Sequence, residues 1–329
     1  MHDSPYKKEY HLVSQQNPTV IIALGGNALS PKKEAGTIDQ QFQHTIESLK
    51  AVIHFVKLNY NICITHGNGP QVGAELSKNE IAMDIIPPLP LNVLVANTQG
   101  AIGYMIQQSL QNALYKEKSD REVVTFVSQM KIDGNDKALK NPTKYIGKVY
   151  SKEMAYKLSE KYNWSIKEQE EGEWRRVVPS PNPLYIFNGK SIKHLVDFGT
   201  IVIAGGGGGI PSYNQEDGTL KGIDGVVDKD KTAALIGRII RANEYFIITD
   251  VDNIFINYNT KNQEKIRNTK VSEIKKWLKE GQFGIGSMEP KIKSALYFLK
   301  HHGDKVVITS IDKLELAISG KAGTHITKD

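Results

Sequence analysis

The stretch "IIALGGNALS", residues Ile21 to Ser30, decides how the rest of the chain is read. An apolar run that begins at Thr19-Val20 ends in two adjacent glycines, an asparagine and a small-residue turn. Unbroken apolar character, rather than alternation, predicts a strand buried on both faces, as in a parallel sheet. Two glycines at its end predict a place where another group must come close to the backbone, because a Cβ would hold it away.

Working outward, the same unit recurs. Ile38, Phe42, Ile46, Leu49, Ile53 and Val56 follow at three- and four-residue steps and predict a helix. "NICIT" predicts a second strand, and "GPQVGAELSKNEIAM" its helix, with Pro70 in the first turn. Asn92 to Tyr115 reads as a long helix and "EVVTFVSQM" as one strand. "TIVIAGG", "YFIITDV" and "KVVITS" read as further buried strands, with "DKTAALIGRII" and "EPKIKSALYFLKHHG" as helices between them. This alternation predicts an α/β protein with a mostly parallel sheet sandwiched by helices. Residues 131 to 183 break the rhythm. They are polar and tyrosine-rich, with a helical "SKEMAYKLSEKY" and a hairpin-like "WSIKEQEEGEWRRVV". They are expected to form a small protruding subdomain inserted in one domain over residues 19–329, after a flexible lead at 1–18. Lys140, Lys144, Arg175 and Arg176 favour a lid over an anionic site.

Composition narrows the function. The 329 residues carry a net charge of +6, but the basic residues are scattered and no long run of like charge occurs, so nucleic-acid binding has little support. One cysteine, Cys63, excludes an intrachain disulfide and fits a reducing compartment. No run approaches the length of a membrane span, and the polar lead lacks a signal-peptide core. A cytoplasmic location is expected.

Three apolar strands end in glycine clusters: "GGNA", "HGNGPQVG" and "GGGGGIP". Ligands of open parallel sheets sit at the carboxyl ends of strands, where backbone N–H groups and helix N-termini suit phosphate. Neither a Walker loop nor the G-x-G-x-x-G dinucleotide fingerprint is present. "GVVDKDKTAAL" puts Asp228, Lys229 and Asp230 just before a helix, and "GSMEPKIKSAL" puts Lys291 near the start of another. A lysine there opposes the helix dipole, so two of them beside an anion site read as charge neutralisers. Phosphoryl transfer suits this inventory, because its catalysis is mainly positioning and electrostatics. Asp230 is read as a group that orients Lys229 or shares in holding magnesium through water, with a helix N-cap as its structural role. His66 is a candidate acid or base, with a purely structural role as the alternative.

These residues carry a resemblance. "ALGGNAL", "HGNGPQVG", "TQGAIGY", "KNPTKYIG", "WRRVVPSP", "GGGGIP", "DKD", "INY" and "GSMEPKI" come in the order seen in carbamate kinases of the amino acid kinase fold family. The chain resembles that family from about Thr19 to Lys328. The resemblance implies a three-layer αβα sandwich with a central, mainly parallel sheet, working as a homodimer. It implies reversible phosphoryl transfer between ATP and carbamate, running as ADP plus carbamoyl phosphate to ATP in arginine catabolism. Magnesium is expected with the nucleotide, with no metal site on the protein. By motif, Gly25, Gly26, Asn27, Gly67, Asn68 and Gly69 would hold the carbamoyl phosphate end. Lys229 and Lys291 would flank the travelling phosphoryl group, with Asp230 organising them and Lys144 reaching down from the lid. Gly206, Gly207, Asp228, Tyr258 and Met288 would belong to the nucleotide half. Other readings are a family member with a larger carboxylate acceptor, the same site working anabolically to make carbamoyl phosphate, a non-catalytic nucleotide- or anion-binding module, and a dehydrogenase, which the missing fingerprint disfavours.

Overall fold

The computed structural model describes residues 17–29, 36–284 and 287–329, without the side chains of Asn27 and Ala28. All but the end of the lead expected at 1–18 therefore lies outside the described residues.

Strand β1 (Thr19–Leu24) runs into a single helical turn, α1 (Gly26–Leu29), and then α2 (Ile38–Lys57). Thr37 and Gln40 start α2 with a capping box, each side chain accepting the other's backbone N–H. Strand β2 (Asn61–His66) leads to α3 (Gly69–Ala82) and the long α4 (Leu91–Lys116), followed by β3 (Val123–Thr125), β4 (Gln129–Lys131) and the short α5 (Lys137–Lys140). Next come β5 (Lys144–Tyr150), α6 (Lys152–Tyr162), β6 (Ile166–Glu170), β7 (Glu173–Val178) and β8 (Tyr185–Ile186). The chain returns through α7 (Gly189–Asp197), β9 (Ile201–Ile203), β10 (Ile210–Asn214), β11 (Leu220–Gly222), α8 (Lys229–Ile240) and β12 (Glu244–Thr249). It ends with β13 (Ile254–Ile256), β14 (Glu264–Ile266), β15 (Asn268–Lys270), α9 (Val271–Lys279), α10 (Met288–His301), β16 (Lys305–Ser310), α11 (Leu314–Ile318) and β17 (Thr324–Thr327).

The central sheet has eight strands in the order β15-β17-β16-β12-β1-β2-β9-β3. Every neighbouring pair is parallel except β16 with β17. Alternation along each strand divides the core in two. Val20, Ile22, Leu24, Ile62 and Ile64 face α2, α4 and α11 through Phe55, Ile106 and Leu314. Ile21, Ala23, Cys63, Tyr245 and Ile247 face the other way, onto Ile236 of α8 and Phe298 of α10. Both faces are covered, which is why these strands read as unbroken apolar runs. The architecture is the expected three-layer αβα sandwich. Cys63 is fully buried, and burial pushes its thiol up to about 12.

One expected strand is two. "EVVTFVSQM" divides at Ser128 into β3, on the edge of the central sheet, and β4, which joins β11, β10 and β8 in a separate four-stranded sheet. Ser128 forms the corner. Its N–H donates to Gln99 Oε1 at 2.7 Å, its Oγ accepts from Gly205 N at 2.9 Å, and its carbonyl accepts from Ile210 N at 2.9 Å. The excursion between Lys144 and Val178 folds as an antiparallel sheet, β5-β7-β6, with α6 alongside. Its base rests on the main body, where Ile146 and Val178 cluster with Val72 and Leu76 of α3 and Leu91 and Leu94 of α4.

Candidate active site

Because β1, β2, β9 and β12 are parallel neighbours, their carboxyl ends open on the same edge of the sheet. A cavity of about 1090 Å³ lies there. Gly25 and Gly26 follow β1, Gly67, Asn68 and Gly69 follow β2, and Gly207 follows β9; all six line it.

The glycines serve two purposes. A Cβ on Gly67 would stand 2.7 Å from Gly26 N, so the loops after β1 and β2 press backbone on backbone. A Cβ on Gly69 would meet no atom within 4 Å, so there the bare backbone faces open cavity. Gly69 opens α3, whose N-cap Asn68 makes no side-chain hydrogen bond to the first turn. Asn68 Nδ2 donates instead to Thr98 Oγ1 at 2.9 Å. The unfilled start of α3 keeps donors and the positive end of the helix dipole for an anion.

Gly207 has φ +63, and a Cβ there would stand 2.3 Å from Asn68 Nδ2, which locks this loop onto the preceding one. Gly206 does not line the cavity. It is buried against His66, whose Nε2 would be 2.3 Å from its Cβ. Asn27 belongs to α1 by its backbone, and its side chain lies outside what is described.

The charged centre lines the same cavity. Asp228 caps α8, accepting from the backbone N–H of Asp230 at 3.0 Å and of Lys231 at 3.2 Å. That fixes Lys229 and Asp230 in the first turn of α8. Lys291 projects from the first turns of α10 and donates to Asp230 Oδ2 at 2.8 Å. Lys229 Nζ lies 3.1 Å from Asp230 Oδ1, an ion pair not aligned as a hydrogen bond, and donates to Leu24 O at 3.3 Å. Asp230 is only 5% exposed, Lys229 12% and Lys291 18%. Below them the Tyr245 hydroxyl donates to the Asp230 carbonyl at 3.2 Å.

The three groups respond differently to this burial. Desolvation raises the Asp230 pKa, but the two ammonium groups outweigh it and hold the carboxyl below its usual range. Desolvation prevails at Lys229, aided by repulsion from Lys291, and lowers its pKa despite Asp230. At Lys291 the same desolvation is overcome by the charge and hydrogen bond of Asp230, and the pKa rises. The difference follows from depth, since Lys229 is the more enclosed.

Lys144 enters from β5, 45% exposed, with Nζ 3.6 Å from Asp228 Oδ2. Met288 and Tyr258 also line the cavity, and Tyr258 is 68% exposed. His66 lies beneath the loops rather than in the cavity. Burial lowers its pKa to about 4, against the raising effect of its contact with the Gly67 carbonyl, and Lys229 lowers it further. With Gly67 O 3.0 Å from Nδ1, that nitrogen carries the proton and the ring is neutral. It is a strut between two glycine loops, not an acid or base.

Gln41, Gln71 and Phe283 are among the lining side chains that sequence reasoning missed. Gln71 lies inside the "HGNGPQVG" motif and was within reach. Gln41 and Phe283 carry no local signal, because only the fold brings α2 and the segment before α10 to this edge. Among the described residues no group of three or more His, Cys, Asp or Glu gathers as a metal cluster, while Asp228 and Asp250 line the cavity.

The comparisons with known proteins agree with this geometry. The amino acid kinase family model matches residues 18–310. A carbamate kinase of Pyrococcus horikoshii is 41% identical over 94% of this chain and 98% of its own. One from Staphylococcus epidermidis is 41% identical over 94% of this chain and 99% of its own. The structure of carbamate kinase from Giardia lamblia bound to AMP-PNP superposes with a TM-score of 0.89 at 38% identity, covering 96% of this chain and all (100%) of that one. The chain belongs to the amino acid kinase family.

Proposed function

We propose that this protein is a carbamate kinase, transferring a phosphoryl group reversibly between ATP and carbamate. The observation that carries the reading is the buried Lys229–Asp230–Lys291 arrangement lining one cavity together with the glycine loops, Lys229 reaching the end of β1 at Leu24 O. The transferring phosphoryl group spreads its charge over three oxygens, so what the protein supplies is positioning and fixed positive charge. One carboxylate shared by two ammonium groups leaves a surplus positive charge and holds both lysines in place before substrate arrives. Donors that need no reorganisation are the effective ones. The uncapped start of α3 and the backbone at Gly25–Gly26 receive the phosphate end of carbamoyl phosphate. Lys144 closes over it from the lid, and Gly207, Tyr258 and Met288 border the nucleotide.

Magnesium would come with the nucleotide, where it neutralises phosphate oxygens. Asp228 and Asp250 are the carboxylates on the cavity wall that would meet it. Carbamate breaks down to carbon dioxide and ammonia, which draws the reaction toward ATP. We read that as the working direction, in arginine catabolism, in the cytoplasm and as a homodimer, as the family resemblance implies. Among the described residues no helix is long and apolar enough to cross a membrane.

The test is ATP formation from ADP, magnesium and carbamoyl phosphate by purified protein, against a no-enzyme control for spontaneous breakdown. ATP well above the control is expected. No ATP above it, with phosphorylation of acetylglutamate or aspartate instead, would replace carbamate with a larger acceptor.

A further inference from the structure

The lid strand β5 lies along α3, and the two match in stride. Side chains four residues apart on a helix lie on one face, about 6 Å apart along the axis. Alternate residues on a strand share a face and are about 6.7 Å apart. Val72, Leu76 and Glu80 form such a row on α3, with the N-cap Asn68 just ahead of it. Ile146 packs with Val72 and Leu76, and a Cβ on Gly147 would stand 4.0 Å from Leu76 Cδ1. At the far end the Tyr150 hydroxyl donates to Glu80 Oε2 at 2.8 Å. At the near end Lys144 and Asn68 line the same cavity.

The strand needs that second attachment. Its pairing with β7 is regular from Lys144 to Ile146, then shifts register before resuming at Tyr150 opposite Trp174. Gly147 has φ +68 within the irregular stretch. An apolar base at Ile146 alone would let the strand slide and swivel on α3. Tyr150 is the next point beyond the irregularity where the strand is tied to the helix. Arg176, opposite Ile146 on β7, brings a positive charge that feels both Asp224 and Glu80.

We infer that Tyr150 and Glu80 are positioning residues that set the register of the lid strand on α3 and thereby hold Lys144 over the cavity. The inference rests on the proposed role of Lys144 toward carbamoyl phosphate. α3 acts as the ruler: its first turn belongs to the phosphate end and its last turns anchor the lid.

The experiment is a double-mutant cycle on ATP formation from ADP and carbamoyl phosphate, using wild type, Tyr150→Phe, Lys144→Ala and the double variant. Tyr150→Phe is expected to lower kcat/KM for carbamoyl phosphate roughly tenfold, the factor set by losing a hydrogen bond to a charged acceptor. The KM for ADP should stay unchanged. In the Lys144→Ala background the same change should cost less than about twofold, since the group being positioned is gone. Glu80→Gln, which keeps a neutral acceptor, should fall between. Equal losses in both backgrounds, or no loss in either, would overturn the inference. Amide exchange over residues 144–150 reads the same contact without turnover: it should quicken in Tyr150→Phe, and unchanged protection would also overturn it. A wild type that makes no ATP would defeat the carbamate reading and leave the exchange result to judge the strand register.

Discussion

At the scale of single residues, Asp230 shares one negative charge between Lys229 and Lys291. Either lysine removed leaves Asp230 paired with the other, so folding should survive better than chemistry. Lys229→Ala and Lys291→Ala are expected to lower kcat and kcat/KM together, on the order of a hundredfold or more, as for a contact made to the transition state. Steady-state kinetics beside a thermal melt would check this, and near-normal turnover in both would remove the two-lysine clamp. His66 makes a second prediction, on stability. Its pKa falls from 6.5 to about 4 on folding, chiefly through burial. Between those values the unfolded chain holds a proton that the native protein does not. Stability is therefore complete above pH 6.5 and declines toward pH 4, by on the order of 3 kcal/mol if the full shift is expressed. Urea unfolding at pH 7 and pH 4.5 should show a smaller pH difference for His66→Gln than for wild type. The lysines were legible from their places at helix starts. The neutrality of His66 was not, because it depends on Gly206 arriving from a loop far along the chain.

Elements show where local reading stops. The loops after β1 and β2 were legible as glycine-built, but the reason is only partly the ligand, since Gly67 stands against Gly26 itself. Gly67→Ala should push the two loops apart, raise the KM for carbamoyl phosphate, and cost about 1–3 kcal/mol through overpacking. A variant with wild-type KM and melting temperature would show the loops to be looser than their backbone contact implies. The division of "EVVTFVSQM" could not be read locally, because both halves are apolar enough for a strand and the corner is made by Gln99 and Gly205. Polarity marked out the excursion at 131–183, yet β4 and β8, near its two ends, pair with each other, and β4 also pairs with β10, where the chain bends back to the main body.

For the whole molecule, the alternation of apolar runs and helical patterns was enough for a parallel sheet covered on both faces. Strand order was not, since it follows from the crossovers, and the reversal of β17 against β16 had no mark in the sequence. The two halves of the core differ in what they support. Phe298 fills the space between α8, α10 and the sheet beside Tyr245, whose hydroxyl holds the Asp230 carbonyl. Phe298→Ala should therefore cost about 3–5 kcal/mol and also slow turnover by loosening that floor. Calorimetry paired with an activity assay would test the link; a large loss of stability with unaltered kcat would separate core from centre. The single cysteine has a use of its own. Cys63 sits in the second strand, sealed on both sides and with a thiol that does not ionise at neutral pH. A thiol reagent can reach it only when the central sheet comes apart. The time course of labelling at neutral pH is then a clock for the opening of the entire sheet, with no engineered probe and no second thiol to confuse the signal.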